Sequence, residues 1–256
     1  MSGPAAVPDL SGQYILITGA ARGLGRSMAE KLARCGATIA VADVDAGGCD
    51  QVARGICAAG GAALSYPFDV AVREQFMQAA AQFAKHGARI DAVVNNAMWL
   101  RYEPLEQITP ETLARMTAIG INGSVWGAQA LLAHYDPARG GAIVNMASPV
   151  AEKGFPNTAA YSLVKGAIVT LTKVLAAELG PRNVRVNAIA PGSVPTPGAL
   201  GLNDKAEYER RTRTIPLRRL GREEDNAEAC AFLLSAAASF ITGEILHVDG
   251  GIAAAG

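Results

Sequence analysis

The sequence predicts an α/β fold: a doubly wound parallel sheet of seven strands with helices on both faces. Three observations carry this reading. Short runs rich in Val and Ile alternate with longer segments of helical period along the whole chain. The runs are apolar almost without interruption, as strands are when both faces of a sheet are covered. A Gly-rich turn joins the first run to the first helical segment, where a ligand crevice opens at the carboxyl ends of such strands. Right-handed crossovers then give the strand order 3-2-1-4-5-6-7.

In order, the strands expected are Tyr14–Ile17, Thr38–Ala42, a weaker Ala62–Phe68, Ala92–Val94, Ala142–Met146, Val184–Ala190 and Ile245–Val248. Helical segments fall near Leu24–Cys35, Ala46–Ala59, Arg73–His86, Glu111–His134, Ala159–Leu179 and Glu223–Ala236. With 256 residues and no internal repeat, residues 1–256 are expected to form one domain. Residues 1–9 hold no basic residue and no apolar run, which reads as a loose arm rather than a targeting signal. Met116–Tyr135 lacks Asp, Glu, Lys and Arg but carries Asn122, Gln129 and His134, so a buried or subunit-contact helix is expected there rather than a membrane span.

Lys plus Arg and Asp plus Glu both number 23, which argues against nucleic acid or an anionic membrane and for a small-molecule partner. The four cysteines show no Cys-x-x-Cys spacing and the three histidines do not cluster with them. No metal site or disulfide framework is expected, and a reducing cytoplasm fits.

The turn Thr18-Gly19-Ala20-Ala21-Arg22-Gly23-Leu24-Gly25 opens the first helix. Glycines let the backbone approach a pyrophosphate, and the helix N-terminus offers unpaired N–H groups to it. Asp43, 18 residues after Gly25, ends the second strand, where a carboxylate accepts from ribose hydroxyls and repels a 2′-phosphate. That favours NAD over NADP, although the Arg22 guanidinium suits a 2′-phosphate. Asp69 and Val70 follow the third strand, near the place of an adenine, with a helix-capping role open for Asp69. Asn95, Asn96 and Ala97 end the fourth, either as ties between strands or as a polar wall for the cofactor. Tyr161 and Lys165 stand four residues apart at the start of a long helix and so share a face. There an ammonium about 4 Å away could lower a phenol's pKa by roughly two units.

The Gly-rich turn, Asn-Asn-Ala, Tyr-x-x-x-Lys and Pro191-Gly192, in this order and at these intervals, resemble the short-chain dehydrogenase/reductase family, of compact single-domain Rossmann-like type. The resemblance covers the chain from about Leu10 onward. It implies Asn122, Ser148, Tyr161 and Lys165 as the catalytic group. Tyr161 would take the alcohol proton, Ser148 hold the substrate oxygen, and Lys165 tune the tyrosine and bind the nicotinamide ribose. Asn122 would hold a water in a proton relay. Pro191, Gly192, Val194 and Thr196 would pass over the nicotinamide, and residues 198–216 would form a flap over the substrate. One departure stands out: the family usually has Gly after Asn-Asn-Ala, and this chain has Met98 followed by Trp99.

Trp99, Pro149, Glu152 and Phe155 are candidates for the substrate wall, suiting a ring-bearing or polyhydroxylated alcohol. The charges of the flap read as solvated. The resemblance further implies a homotetramer, in keeping with the apolar faces of the Tyr161 helix. The leading expectation is an NAD-dependent oxidoreductase exchanging hydride between a secondary alcohol and its ketone. The alternatives are an NADPH-dependent 3-oxoacyl thioester reductase and a catalytically silent nucleotide-binding scaffold.

Overall fold

The computed structural model describes residues 8–196 and 205–255. The apolar runs become β1 (Tyr14–Thr18), β2 (Thr38–Asp43), β3 (Ala62–Pro67), β4 (Ala92–Asn95), β5 (Gly141–Met146), β6 (Val184–Pro191) and β7 (Ile245–Val248). Every neighbouring pair is parallel, in the expected order β3-β2-β1-β4-β5-β6-β7. The winding reverses between β1 and β4, so the chain leaves these two strands in opposite directions and a crevice opens between them.

The helices are α1 (Gly23–Arg34), α2 (Ala46–Ala58), α3 (Arg73–Gly87), α4 (Pro110–Thr117), α5 (Gly123–His134), α6 (Ala159–Leu179), α7 (Lys205–Thr214) and α8 (Glu223–Leu234). Successive strand residues point to opposite faces, which sorts the core into two layers. Ile15, Ile17, Ile39 and Val41 pack with Leu32 of α1, Ile56 of α2 and Leu234 of α8. Leu16, Val93 and Ile143 pack with Phe76 and Phe83 of α3, Leu131 of α5 and Leu179 of α6. Each such fully buried side chain stabilises the fold by about 1.5–3 kcal/mol. The α6 helix stops at Gly180-Pro181, after which Asn183 takes the left-handed φ of 59°.

The single helix expected over Glu111–His134 is instead two helices joined by a π-turn, Ala118–Asn122. Thr109 caps the first through a bond from Thr112 N at 3.2 Å, with Pro110 in the first turn. Inside the π-turn, a Cβ on Gly120 would lie 2.4 Å from Cγ1 of Val164, so the glycine lets this segment press against α6. The Ser124 hydroxyl donates to the Gly120 carbonyl at 2.7 Å, satisfying an acceptor in the widened turn.

Of the arm expected over residues 1–9, residues 1–7 lie outside the described residues. Of the flap expected over 198–216, residues 198–204 lie outside them, and α7 forms most of the rest. Among the described residues no helix is long and apolar enough to cross a membrane, and no group of three or more His, Cys, Asp or Glu could hold a metal ion.

Candidate active site

The crevice is stitched together by Thr18, at the end of β1. Its hydroxyl accepts from Asn96 N at 3.0 Å and Ala97 N at 3.1 Å, just beyond β4. In return Asn96 Nδ2 donates to the carbonyls of Thr18 and Gly19, at 2.9 and 3.0 Å. A Cβ on Gly19, whose φ is +66°, would stand 2.8 Å from Ala97 Cα, and one on Gly25 would stand 2.1 Å from the Gly19 carbonyl oxygen. Only glycine fits at either position. Arg22 gives α1 no side-chain cap, and its first turn, from Gly23 through Leu24 and Gly25, has no acidic residue, so no carboxylate competes for its N–H groups.

At the end of β2, Asp43 accepts from Ala21 N at 3.3 Å and Asp45 N at 3.2 Å, which fixes its carboxylate beside the Gly-rich turn. Asp69 accepts from Ala71 N at 2.9 Å. The N-cap of α3 is Val72, so Asp69 shapes the preceding turn rather than capping the helix. Val70 lies over Gly123, where a Cβ would come within 3.2 Å of its Cγ2. Glycines that admit backbone, uncapped N–H groups and a fixed carboxylate fit the pyrophosphate and ribose of a dinucleotide.

On α6, Tyr161 and Lys165 occupy successive turns. Lys165 is 5% exposed, donates from Nζ to the Met146 carbonyl at the end of β5 at 2.5 Å, and lies 5.6 Å from the centre of the Tyr161 ring. Ser148, two residues beyond β5, hydrogen-bonds the Tyr161 hydroxyl. Tyr102 meets the Tyr161 ring edge-on at 5.8 Å. Asn122 closes the π-turn; its neighbour Ile121 packs into the same cluster as Tyr161 and Val164, while Asn122 itself is not on the cleft wall.

The electrostatics differ from the sequence expectation. Burial pushes the Tyr161 phenol above its ordinary range and Tyr102 adds to this, with only the Ser148 hydrogen bond pulling it down. Burial likewise lowers the Lys165 ammonium to about 8. The lysine's ammonium is held by the Met146 carbonyl, and burial is the largest effect on both groups.

These residues line a cleft of about 720 Å³. Arg22, Leu24 and Asn96 stand on its Gly-rich side; Ser148, Tyr161 and Lys165 on the strand side; Pro191, Gly192, Val194 and Thr196 along one edge. Gly192 N donates to Val248 O at 3.0 Å and Thr196 N to Val194 O at 2.9 Å, which sets the path of that edge. Trp99, Pro149 and Phe155 line the cleft, Trp99 with the Arg115 guanidinium 4.4 Å above its ring. Met98 also lines the cleft, and its sulfur stands 3.0 Å from where a Gly120 Cβ would be. The residue that departs from the family pattern is thus seated on a glycine notch in the π-turn.

Besides Asn122, Asn95 and Glu152 also lie off the cleft wall. Asn95 is 6% exposed and donates to Asn145 Oδ1 at 2.9 Å, while Asn145 donates to Thr172 Oγ1 at 3.0 Å. It ties β4 to β5 and α6 instead of facing the cofactor. Glu152 lines a shallower neighbouring depression, 3.2 Å from His247 Nε2, and turns away from the cleft. Conversely, Tyr102 and Tyr208 line the cleft without having been singled out in the sequence, beside Asn96. Asn96 carried a signal, as an amide at a strand end; the two tyrosines carried none, since a loop brings in Tyr102 and only the packing of α7 brings in Tyr208.

A family model described as enoyl-(acyl carrier protein) reductase matches residues 19–253. The cis-4-hydroxycyclohexanecarboxylate dehydrogenase of Sinomonas cyclohexanicum is 37% identical over 240 residues, 93% of this chain and 96% of that protein. A solved gluconate 5-dehydrogenase of Burkholderia cenocepacia J2315, in complex with NADP and tartrate, is 33% identical and superposes with a TM-score of 0.91 over 96% of this chain and 97% of its own. A 7α-hydroxysteroid dehydrogenase complexed with NADH and 7-oxo glycochenodeoxycholic acid, 29% identical, gives 0.93 over 98% of each chain.

Proposed function

Because the chain belongs to the short-chain dehydrogenase/reductase family, oxidoreductases acting on CH–OH groups with a nicotinamide cofactor, we propose that it exchanges hydride between NAD and a secondary alcohol of the sugar, polyol or cyclic alcohol class. The observation that carries the reading is the meeting of the Ser148 and Tyr161 hydroxyls on a buried wall of the cleft, with Lys165 one turn on. Ser148 holds the substrate oxygen, and Tyr161 Oη takes its proton as the carbinol carbon is oxidised, returning it in the reverse direction. Gly19, Arg22, Gly23, Leu24 and Gly25 would hold the pyrophosphate, Asp43 the adenosine ribose, and Asp69 and Val70 the adenine. Ala97, Lys165, Pro191, Gly192, Val194 and Thr196 would hold the nicotinamide half. When bound, the oxidised nicotinamide supplies the hydride acceptor and a positive charge.

The fixed Asp43 carboxylate supports NAD, since it would repel a 2′-phosphate. Arg22 on the cleft wall is the feature that would favour NADP and a 3-oxoacyl substrate. Relatives with each coenzyme are known. Turnover of a panel of sugars, polyols, cyclic alcohols and acyl thioesters with both coenzymes decides the matter. NAD is expected to give at least roughly tenfold higher kcat/KM, the worth of about one charge contact, and an NADP preference overturns the role given to Asp43. Tyr161→Phe should abolish turnover while coenzyme affinity changes little; retained turnover refutes the assigned base. We further propose a cytoplasmic homotetramer, supported by the exposed apolar residues Leu163 and Val174 on α6.

A further inference from the structure

We propose that the substrate of this cleft carries a carboxylate, bound on the α7 side by the Arg211 guanidinium and the Tyr208 hydroxyl. The inference rests on the reaction proposed above and names the substrate class within it. The protein as a whole has no net charge, yet among the described residues the Asp, Glu, Lys and Arg of the cleft wall are Arg22, Lys165, Arg210, Arg211 and Glu207. Arg22 belongs to the Gly-rich turn and Lys165 is tied to Met146. The other three form a cluster on α7. Glu207 accepts from Arg210 at 2.7 and 2.8 Å and from Arg211 Nε at 2.6 Å, and these bonds hold its carboxyl at about 2. One ionised carboxylate between two guanidiniums leaves one positive charge.

That charge falls to Arg211 because of how the two arginines sit. Arg210 is 68% exposed and solvated, whereas Arg211 is 29% exposed, with Nη1 directed to Ser193 Oγ at 3.4 Å. Its planar fork has five donors, so a carboxylate can be taken beside Glu207. A second observation points to the same spot. The Tyr208 hydroxyl is buried on the cleft wall and has no hydrogen-bond partner, a state a ligand oxygen would relieve. Arg211 and Tyr208 both lie near enough to Tyr102 to act on its phenol, and Tyr102 meets the Tyr161 ring at 5.8 Å. The carboxylate would therefore sit about one ring away from the reacting carbinol.

The test compares cyclohexanecarboxylate with the isosteric cyclohexanecarboxamide, by calorimetry on the full chain saturated with NADH or, separately, NADPH. The acid is expected to bind about tenfold or more tightly than the amide, the scale of hydrogen bonds to a charged group. Arg211→Gln should bring the two within roughly threefold, and Tyr208→Phe should weaken the acid more than the amide, because its bond to an ionised oxygen is the stronger one. Arg213→Gln, which alters an arginine off the cleft wall, should leave the preference intact. No difference between acid and amide in the wild type overturns the proposal, as does a preference that survives Arg211→Gln or is lost equally in Arg213→Gln. These are equilibrium readouts, so they stand even if no alcohol is oxidised, and turnover of neutral alcohols with no acid preference sinks the carboxylate site alone.

Discussion

Lys165 combines a formal charge with 5% exposure and a single hydrogen-bond partner, the Met146 carbonyl. Its ammonium is lowered from the usual 10.5 to about 8 by burial. The unfolded chain therefore holds more protons than the folded one between about pH 8 and 10.5, so stability rises with pH across that window. Below it the whole cost of burying the cation, roughly 3 kcal/mol at most, is carried by the fold. Lys165→Met should remove this dependence. In coenzyme-free thermal melts, wild type should gain on the variant as pH climbs from 8 to 10.5, and parallel curves would contradict the burial argument. The pairing of Tyr161 with Lys165 was legible because helix geometry alone puts residues four apart on one face. The sign of the phenol's shift was not, because it is set first by burial, which only the folded chain creates, and then by Tyr102, which reaches the site from a loop with no periodic signal. For Asn95 the sequence left strand tie and cofactor wall both open for a related reason: a strand-end amide can face in or out, and only its register against Asn145 turns it inward.

Among the elements, strands and most helices could be read from runs and periods because each is determined by neighbours in sequence. The π-turn Ala118–Asn122 could not. It depends on Gly120 meeting Val164 on α6, a contact between distant parts of the chain. Gly120→Ala places a Cβ 2.4 Å from Val164 Cγ1. Overpacking of this kind costs about 1–3 kcal/mol, which in a chain of this size lowers Tm by roughly 2–12 °C. Differential scanning calorimetry reads it directly, and an unchanged Tm would mean that the turn is not wedged there. Turnover should fall as well, since Val164 stands beside Lys165 and shares a packing cluster with Tyr161.

At the level of the whole molecule, the strand order followed from crossover handedness, and the sheet agrees with it. Assembly has a less complete signature. Leu163 is 64% and Val174 53% exposed on α6, and Phe240, near β7, is exposed over its whole surface. Exposed apolar groups at two places on one chain suit two kinds of contact between copies. Sedimentation at micromolar concentration should show a tetramer, and Leu163→Glu combined with Val174→Glu should yield smaller species. A wild-type monomer would refute the assembly. The notch that receives Met98 has one more consequence. Its thioether is part of the cleft wall, with the sulfur 3.0 Å from the place a Gly120 Cβ would take. Peroxide that converts this thioether to a sulfoxide would turn an apolar part of the cleft wall polar. Treatment with hydrogen peroxide should therefore inactivate the wild type faster than Met98→Leu, and prior addition of coenzyme should slow the loss.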